Sequence, residues 1–290
     1  MYIDDKPEYI VLYATTDCNH KCSHCFVEHR MNWDPDDIAN VASVLSKKCL
    51  VHINGAEPLL NPAYLKAYQA ANQSFVFSNG LVFFNNSEAD SLVKKIKEHG
   101  ITEVRLSHHF NAIDDLRAVP SEIVETVTKY LLDQGLAVHY NTTITKSNYS
   151  SISDICSRAK ELGVSRIKFF PLKVIGRAKT LPEDYHLSED ETRAFYSQLL
   201  EARERYSVSE LAIKVSGDLA GITSKFRCTY GNHSYAITPD RKIYGCVYSI
   251  SVLPPLGELR PDGTILLYDS GPCNYKKCAL SVLQDESPMV

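Results

Sequence analysis

The chain has 290 residues, of which 44% are hydrophobic and 23% are charged, so a wholly disordered polypeptide is excluded. Its 31 basic and 35 acidic residues give a net charge of −4, which lacks the basic surplus typical of nucleic-acid binders. No apolar run reaches the ~20 residues of a membrane-spanning helix, and the acidic N-terminus has no apolar core of a secretory signal. We therefore expect a cytoplasmic protein that binds neither nucleic acid nor a membrane.

Six β-strands, each followed by an α-helix, are predicted along the first two thirds of the chain. The predicted strands span residues 9–15, 49–54, 74–78, 102–107, 137–144 and 166–172. The predicted helices span residues 35–47, 62–72, 88–99, 121–134, 151–162 and 188–206. This alternation indicates an α/β fold with a parallel sheet, either open and doubly wound or barrel-like. Both arrangements gather ligands at the carboxyl ends of the strands.

The pattern changes after about residue 208, where short alternating strands replace the strand–helix rhythm. We therefore predict two units, a parallel-sheet domain over residues 1–208 and a small β-rich module over residues 209–290. Four of the nine cysteines fall in this module. Because so small a module has little hydrophobic core of its own, a bound metal centre would help to hold it together.

Three cysteines lie close together directly after the first predicted strand, at Cys18, Cys22 and Cys25. An odd total of cysteines without an export signal argues against a disulfide framework and favours metal binding. Thiolates are soft ligands that bind iron–sulfur clusters, zinc or copper(I). Three thiolates on a four-iron cluster leave one iron open, whereas a zinc site would need His20 or His24 as its fourth ligand.

The C-terminal cysteines are spaced differently from the first group. They are Cys228, Cys246, Cys273 and Cys278. Four thiolates close a four-iron site completely, so this site would hold a cluster without an open position. The alternative is a structural zinc ribbon, although such ribbons normally use two C-x2-C pairs that this spacing lacks.

The spacing C-x3-C-x2-C after the first strand, followed by the aromatic Phe26, resembles the radical S-adenosylmethionine (radical SAM) superfamily. The resemblance covers roughly residues 8–180 and implies a partial (β/α)6 TIM barrel. It also implies that Cys18, Cys22 and Cys25 hold a 4Fe-4S cluster whose open iron binds SAM. In that family an electron from the cluster cleaves SAM to methionine and a 5′-deoxyadenosyl radical, which abstracts hydrogen from the substrate.

Further segments resemble the SAM-binding loops of the same superfamily. Gly55-Ala56-Glu57-Pro58 is similar to a G-G-E-P loop that contacts the SAM amino group, with Glu57 as a partner for an ammonium. By position, the resemblance assigns the remaining SAM contacts to Ser78, Asn79, Ser107, Asn141 and Leu172. An ordinary turn remains the alternative interpretation of the segments after strands 2 and 3.

Three further side chains are candidates for catalysis. His108 and His109 follow the fourth strand, where they could contact substrate or move a proton. Arg177 follows the sixth strand and could bind a carboxylate or a phosphate. The alternatives are structural histidines and a surface arginine.

The segment I-T-P-D-x-x-I-Y-x-C ending at Cys246 resembles the shortened SPASM module known as Twitch. The resemblance implies a second, auxiliary 4Fe-4S cluster on the four C-terminal cysteines, with an electron-transfer or structural role. Tyr248 and Ser249 are alternative pocket residues just beyond Cys246, whereas Cys49 and Cys156 are expected in the core. A flavodoxin or ferredoxin is the electron donor that the resemblance implies.

The favoured activity is dehydrogenation or epimerisation of a small polar molecule such as an aminocyclitol or sugar. Only 17 residues precede Cys18, whereas peptide-modifying relatives often carry a leader-binding domain there. The alternative is a ribosomal-peptide maturase, crosslinking or epimerising, whose leader is recognised in trans. A molybdenum-cofactor cyclase is disfavoured by the four C-terminal cysteines and the final Pro-Met-Val. The alternative of another class is a non-catalytic zinc-binding protein.

Overall fold

Parallel β-strands form the centre of the fold, and α-helices cover their outer face. The computed structural model describes residues 7–27, 31–112, 116–216, 234–250 and 253–268. The strands that run through the first three quarters of the chain are β1 (Tyr9–Tyr13), β2 (Leu50–Asn54), β3 (Phe75–Ser78), β4 (Glu103–Ser107), β5 (Ala137–Ile144), β6 (Arg166–Pro171) and β7 (Ala212–Val215). The strands near the C-terminus are β8 (Ser234–Ile237), β9 (Lys242–Tyr244), β10 (Gly257–Leu259) and β11 (Ile265–Leu267).

Among the described residues, an α-helix follows each of the first six strands, as the sequence predicts. They are α1 (Pro35–Leu45), α2 (Leu65–Ala70), α3 (Ala89–Glu98), α4 (Ser121–Asp133), α5 (Ile152–Glu161) and α6 (Glu189–Arg205). The helix predicted over residues 62–72 is shorter than expected. Two 3-10 turns, Pro58–Leu60 and Pro62–Tyr64, precede α2. The first turn does not continue into the second because Pro62 has no N–H group to donate to the preceding turn.

The strands pair in two groups. Strands β3 to β7 form a five-stranded parallel sheet in chain order. Strand β1 pairs in parallel with β2 on one side and with β8 on the other. Strands β9, β10 and β11 then continue the second sheet in antiparallel fashion. The structure thus confirms an α/β fold with parallel strands.

The strands β7 and β8 differ from the sequence-based expectation in their partners. The sequence assigns both to the β-rich module that begins at residue 209, but β7 pairs with β6 and β8 pairs with β1. Both therefore extend the parallel sheets. Short apolar strands can pair with any available edge, and the alternation pattern does not specify which edge they choose.

An ion pair joins the C-terminal hairpin to the first helix. Arg241, in the turn between β8 and β9, contacts both carboxylate oxygens of Asp37 at 2.6 Å. Its guanidinium also lies 5.0 Å from the ring of Trp33. Asp37 itself lies in the first turn of α1, whose N-cap is Asp34. The hairpin is therefore held by charge as well as by the pairing of β8 with β1.

Each parallel strand sorts its side chains onto two faces. In β4, Val104 and Leu106 are fully buried in the core, while Glu103, Arg105 and Ser107 occupy the opposite face. Strand β6 has the same alternation, with Ile167 and Phe169 buried and polar residues between them. One face of the sheet therefore packs on the helices, and the other carries unusually many charged groups for a sheet interior.

Candidate functional site

The three clustered cysteines lie in the loop that follows β1. Cys18 is exposed, Cys22 and Cys25 are half-buried, and none of them forms a disulfide. The pKa of the Cys22 thiol is raised to about 12, first by burial and then by the negative charges of Cys25 and Cys18. The three sulfurs are therefore close enough to repel one another as thiolates, and a cationic group between them would relieve that repulsion.

The side chains available as ligands decide whether this loop fits a single metal ion or an iron–sulfur cluster. Among the residues that the structure describes, no three His, Cys, Asp or Glu side chains converge closely enough to hold a single metal ion. Neither of the two histidines of the zinc alternative joins the cysteines in such a group. His20 Nε2 donates to the carbonyl of Arg117 at 2.9 Å, and His24 packs on His109 with its pKa lowered to about 4 by burial. Three soft thiols around a wider centre fit a 4Fe-4S cluster better than a single zinc ion.

Gly176 and Arg177 clamp the cysteine loop from the end of β6. The backbone N–H of Arg177 donates to the carbonyl of Cys25 at 2.9 Å, and Arg177 Nε donates to the carbonyl of Cys22 at 2.8 Å. Gly176 has a φ of +58°, and a Cβ there would lie 2.6 Å from the Cys25 carbonyl and against Phe26 Cα. The predicted catalytic role of Arg177 stays a prediction, and the contacts that the structure shows hold the cysteine loop in place.

Glu57 joins the loops that follow β2 and β3. Its side chain is fully buried, and its Oε2 accepts a hydrogen bond from the N–H of Asn79 at 2.7 Å. Its Oε1 has no hydrogen-bond partner among the described residues. Burial raises the pKa of the Glu57 carboxyl to about 7, because the charged form loses its hydration. The contact between this carboxylate and a SAM ammonium stays a prediction.

Asn79 links these loops to the cysteines. Its Nδ2 donates to Asn19 Oδ1 at 2.8 Å and to the sulfur of Cys18 at 3.5 Å. The N–H groups of the neighbouring loop are also committed, since Gly55 donates to Asn54 Oδ1 at 2.8 Å and Ala56 donates to the carbonyl of Thr15 at 2.9 Å. The loops after β1, β2 and β3 thus form one connected polar edge, as the sequence predicts.

The other predicted SAM contacts lie at the same edge. Ser107, at the carboxyl end of β4, lies opposite Asn141, which is within β5. The N–H of Leu172 donates to the carbonyl of Ile144 at 3.0 Å beyond β6. Ser78 is buried, and its Oγ accepts from the N–H of Gly80 at 3.0 Å, so this hydroxyl stabilises the turn after β3.

The two adjacent histidines are buried rather than open to a substrate. The His108 ring stacks on Phe110 at 3.8 Å, and its Nε2 lies 3.8 Å from Glu125 on α4. His109 accepts a hydrogen bond from the N–H of Thr143 at 3.0 Å, and its ring contacts His24 beside the cysteine loop. Burial and packing hold both rings in the protein interior, and their contact with substrate or role in moving a proton stays a prediction.

The placement of His108 predicts a pH-dependent change in stability. Burial lowers its pKa to about 4, although Glu125 opposes this shift. The unfolded chain therefore binds a proton more readily between about pH 6.5 and pH 4, and the stability that neutral His108 contributes is lost as pH falls through this window. In His108→Asn, whose amide oxygen can still accept from the N–H of Phe110, this dependence is absent.

We expect the free energy of unfolding of the unmodified protein to fall by roughly 2 kcal/mol more than that of His108→Asn between pH 6.5 and pH 5. Urea denaturation followed by circular dichroism at each pH measures this difference. Equal pH slopes for the two proteins would contradict the assignment of His108 as a buried neutral ring.

Charged side chains on the inner face of the sheet form a cavity that no sequence motif indicates. Its volume is about 240 Å³. It is lined by Arg105, His139, Tyr140, Asn141, Arg166, Lys168, Lys214 and Val215. The signal in the sequence is the alternation of charged and apolar residues in β4, β6 and β7. Only the predicted SAM contact Asn141 was assigned to this region.

Cys246 is the one C-terminal cysteine within the described residues; Cys228, Cys273 and Cys278 lie outside them. Cys246 is buried just beyond β9, where its N–H donates to Ser249 Oγ at 3.1 Å. Nearby, the ring of Tyr248 packs on Phe26 at 5.4 Å, with the two planes inclined at 66°. The segment that begins at Cys246 therefore contacts the residue that directly follows the first cysteine group.

Comparison with known proteins gives distant relatives. No protein-family model matches the chain. A GTP 3′,8-cyclase of Clostridium botulinum is 22% identical over 263 residues, which are 84% of this chain and 82% of the relative. A probable GTP 3′,8-cyclase of Sulfurisphaera tokodaii is 25% identical over 257 residues, covering 80% and 78% of the two chains.

Solved structures share the fold. SuiB of Streptococcus suis bound to S-adenosylmethionine superposes with a TM-score of 0.69 at 16% identity, covering 97% of this chain. This chain spans 66% of the SuiB chain, just under two thirds of its length. The anSMEcpe structure with bound AdoMet and a peptide gives a TM-score of 0.60 at 18% identity, covering 87% and 77%. HemN of Escherichia coli gives 0.52 at 12% identity, covering 69% and 53%.

Among the described residues, no helix combines the length and apolar character that crossing a bilayer requires.

Proposed function

We propose that this chain is a radical SAM enzyme, a superfamily that its cyclase relatives and its structural neighbours support. The observation that carries the proposal is the C-x3-C-x2-C loop after β1, clamped between Asn79 and Arg177 at the carboxyl edge of a parallel sheet. A 4Fe-4S cluster and SAM, when bound, supply a 5′-deoxyadenosyl radical that abstracts hydrogen from an unactivated C–H bond.

The chain's own residues hold and orient these groups. Cys18, Cys22 and Cys25 are the proposed cluster ligands. The amide of Asn79 donates to the Cys18 sulfur, and such a hydrogen bond favours the thiolate that metal binding requires. Arg177 fixes the carbonyl of Cys22 and so fixes the path of the loop. The contacts of Asn79 and Arg177 would thus orient the cysteine ligands, as residues that hydrogen-bond to ligands do at other metal sites.

We further propose that Ser107, Asn141 and the backbone near Leu172 contact SAM. All three follow or end strands at the same edge as the cysteine loop. The backbone of Gly55 and Ala56 completes this set, because their N–H groups are already bonded and their carbonyl oxygens are suited to an ammonium group. Asn141 also lines the charged cavity, so SAM and substrate would meet at this residue.

An auxiliary 4Fe-4S cluster on Cys228, Cys246, Cys273 and Cys278 remains part of the proposal. Its support is the Twitch-like segment that ends at Cys246 and the contact between Tyr248 and Phe26. Such a cluster would transfer an electron or hold residues 209–290, with a flavodoxin or ferredoxin as the external donor. The division at residue 208 is retained as a proposal, with β7 and β8 anchoring the second unit to the first.

The substrate proposed is a small polar molecule that undergoes dehydrogenation, epimerisation or cyclisation. Cyclisation is included because the two relatives are named as GTP 3′,8-cyclases, although the four C-terminal cysteines of this chain disfavour a molybdenum-cofactor cyclase. The cationic residues of the cavity do not suit an aminocyclitol, because its ammonium groups would be repelled.

A peptide is the second candidate substrate. Its support is the likeness of the fold to SuiB, which has been solved with its precursor peptide SuiA, and to anSMEcpe with a bound peptide. Since both structures are less than 20% identical to this chain, the likeness concerns the fold and not the peptide-binding residues.

The test begins with anaerobic purification and reconstitution with iron and sulfide. We expect iron and sulfide in the protein, little zinc, and formation of 5′-deoxyadenosine and methionine from SAM after reduction with dithionite. About eight irons per chain would support two clusters, and about four would support the SAM-binding cluster alone. Zinc at both cysteine groups without SAM cleavage would overturn the proposal in favour of a structural zinc protein.

A further inference from the structure

The cavity inside the sheet is lined mainly by cations. Arg105 comes from β4, Arg166 and Lys168 come from β6, and Lys214 comes from β7. This concentration is notable because the whole chain carries a net charge of −4. These four cations lie on the inner faces of β4, β6 and β7, and β5 with His139 lies between β4 and β6. They are a local feature that the overall charge conceals.

The strand register arranges these groups in two rows across the sheet. Arg105 pairs with His139 and His139 with Arg166, which places three basic side chains in the first row. The second row, one pleat nearer the carboxyl ends of the strands, contains Lys168 and Lys214, opposite each other. Residues two positions apart on a strand point to the same face, so both rows face the cavity.

The negative charge in the cavity neutralises only some of these basic side chains. Glu103 lies 2.5 Å from Arg105 Nε and 2.7 Å from His139 Nδ1, so its carboxylate is shared by these two groups. Among the described residues, no carboxylate lies within ion-pair distance of Arg166 or Lys168, and the Nε of Arg166 is buried without a hydrogen-bond partner.

The electrostatic consequence is visible at two neighbouring groups. Burial lowers the pKa of the Lys168 ammonium, and the charges of Arg105 and Arg166 lower it further. Burial also lowers the pKa of His52 on β2 to about 4, with Arg105 and Lys168 as the additional causes. The cations therefore repel one another across the cavity, and an anion between them would relieve this repulsion.

We propose that this cavity binds the phosphate group of the substrate, an inference that rests on the proposed function. The planar guanidinium of Arg166 can donate two parallel hydrogen bonds to a phosphate, and Lys168 and Lys214 can add point charges. A cavity of about 240 Å³ lies below the range of about 300–1,000 Å³ typical of sites that enclose a whole ligand. It therefore suits the charged end of a substrate, whose remaining atoms would extend past Asn141.

The group that the cavity would bind is a phosphate ester or anhydride, which either a nucleotide or a sugar phosphate can supply. Isothermal titration calorimetry on the reconstituted protein with SAM tests it, with inorganic pyrophosphate as the general probe. GTP against guanosine, and glucose 6-phosphate against glucose, distinguish the two sources. We expect pyrophosphate to bind, and at least one phosphorylated compound to bind about tenfold or more tightly than its neutral counterpart.

Variants locate the binding in the cavity. Lys168→Met and Arg166→Met are each expected to weaken pyrophosphate binding by about 10- to 100-fold, the loss typical of a hydrogen bond to a charged group. Lys168→Arg retains the charge and is expected to bind within about threefold of the unmodified protein. The matched control is Lys94→Met, since Lys94 is exposed on α3 and its partner is Glu98 on the same helix.

Lys214→Met is a second variant in case the more buried substitutions unfold the protein, because Lys214 is exposed and lies at the sheet edge. Absence of pyrophosphate binding, or equal binding by Lys214→Met and the unmodified protein, overturns the phosphate site. SAM cleavage without added substrate is measured separately. If cleavage fails while lysine-dependent pyrophosphate binding persists, the proposed function is wrong and the anion site stands.

Discussion

Substitution of Cys22 by alanine is expected to remove about four irons per chain and to abolish the formation of 5′-deoxyadenosine. Cys22 lies at the centre of the cysteine loop, where burial raises the pKa of its thiol and its carbonyl is fixed by Arg177. Two remaining thiolates leave a second iron without a protein ligand. Iron analysis, absorption spectra and quantitation of 5′-deoxyadenosine after anaerobic reconstitution measure the outcome.

The matched control for this substitution is Cys49→Ala. Cys49 is half-buried next to β2, and its thiol contacts the carbonyl of Leu45 at 3.5 Å, on the preceding helix. We expect this variant to keep its iron and its SAM cleavage. Retention of full iron content and activity in Cys22→Ala would exclude the loop as the SAM-binding cluster site.

Gly176→Ala is expected to displace the cysteine loop although it changes no candidate ligand. A residue with a side chain at a φ of +58° costs about 1–2 kcal/mol. The added Cβ would also contact the backbone of Cys25 and Phe26, which cannot move aside as a flexible side chain would. Overpacking of this kind typically costs about 1–3 kcal/mol more.

Gly100→Ala separates the cost of the left-handed backbone from the cost of the close contact with the cysteine loop. Gly100 also has a left-handed φ, of +77°, but a Cβ there would have no atom within 4 Å. We expect Gly100→Ala to lower the free energy of unfolding by about 1–2 kcal/mol and to leave iron retention unchanged. Gly176→Ala should lose iron to a chelator much faster than either Gly100→Ala or the unmodified protein. Equal rates of iron loss in the two variants would contradict the proposed close packing at Gly176.

The sequence by itself determined the order of strands and helices over the first 206 residues. Apolar runs and periodicity define β1 to β6 and their helices to within a few residues, because each buried strand or amphipathic helix follows from its local pattern. The spacing of Cys18, Cys22 and Cys25 after β1 likewise indicated the edge at which the candidate site lies. This follows because parallel strands bring their carboxyl ends together.

The tertiary structure alone decided which side chains face the site. The hydrogen bond from Arg177 to the carbonyl of Cys22 is one example, because residues 155 positions apart meet only after the sheet forms. His108 packs towards α4, since one position along a strand changes the face to which a side chain points.

The cavity depends on tertiary structure for the same reason. Lys168 and Lys214 become neighbours only through the pairing of β6 with β7. A local pattern shows that a strand has a polar face, but it does not contain the strand partners that turn several polar faces into one cationic cavity.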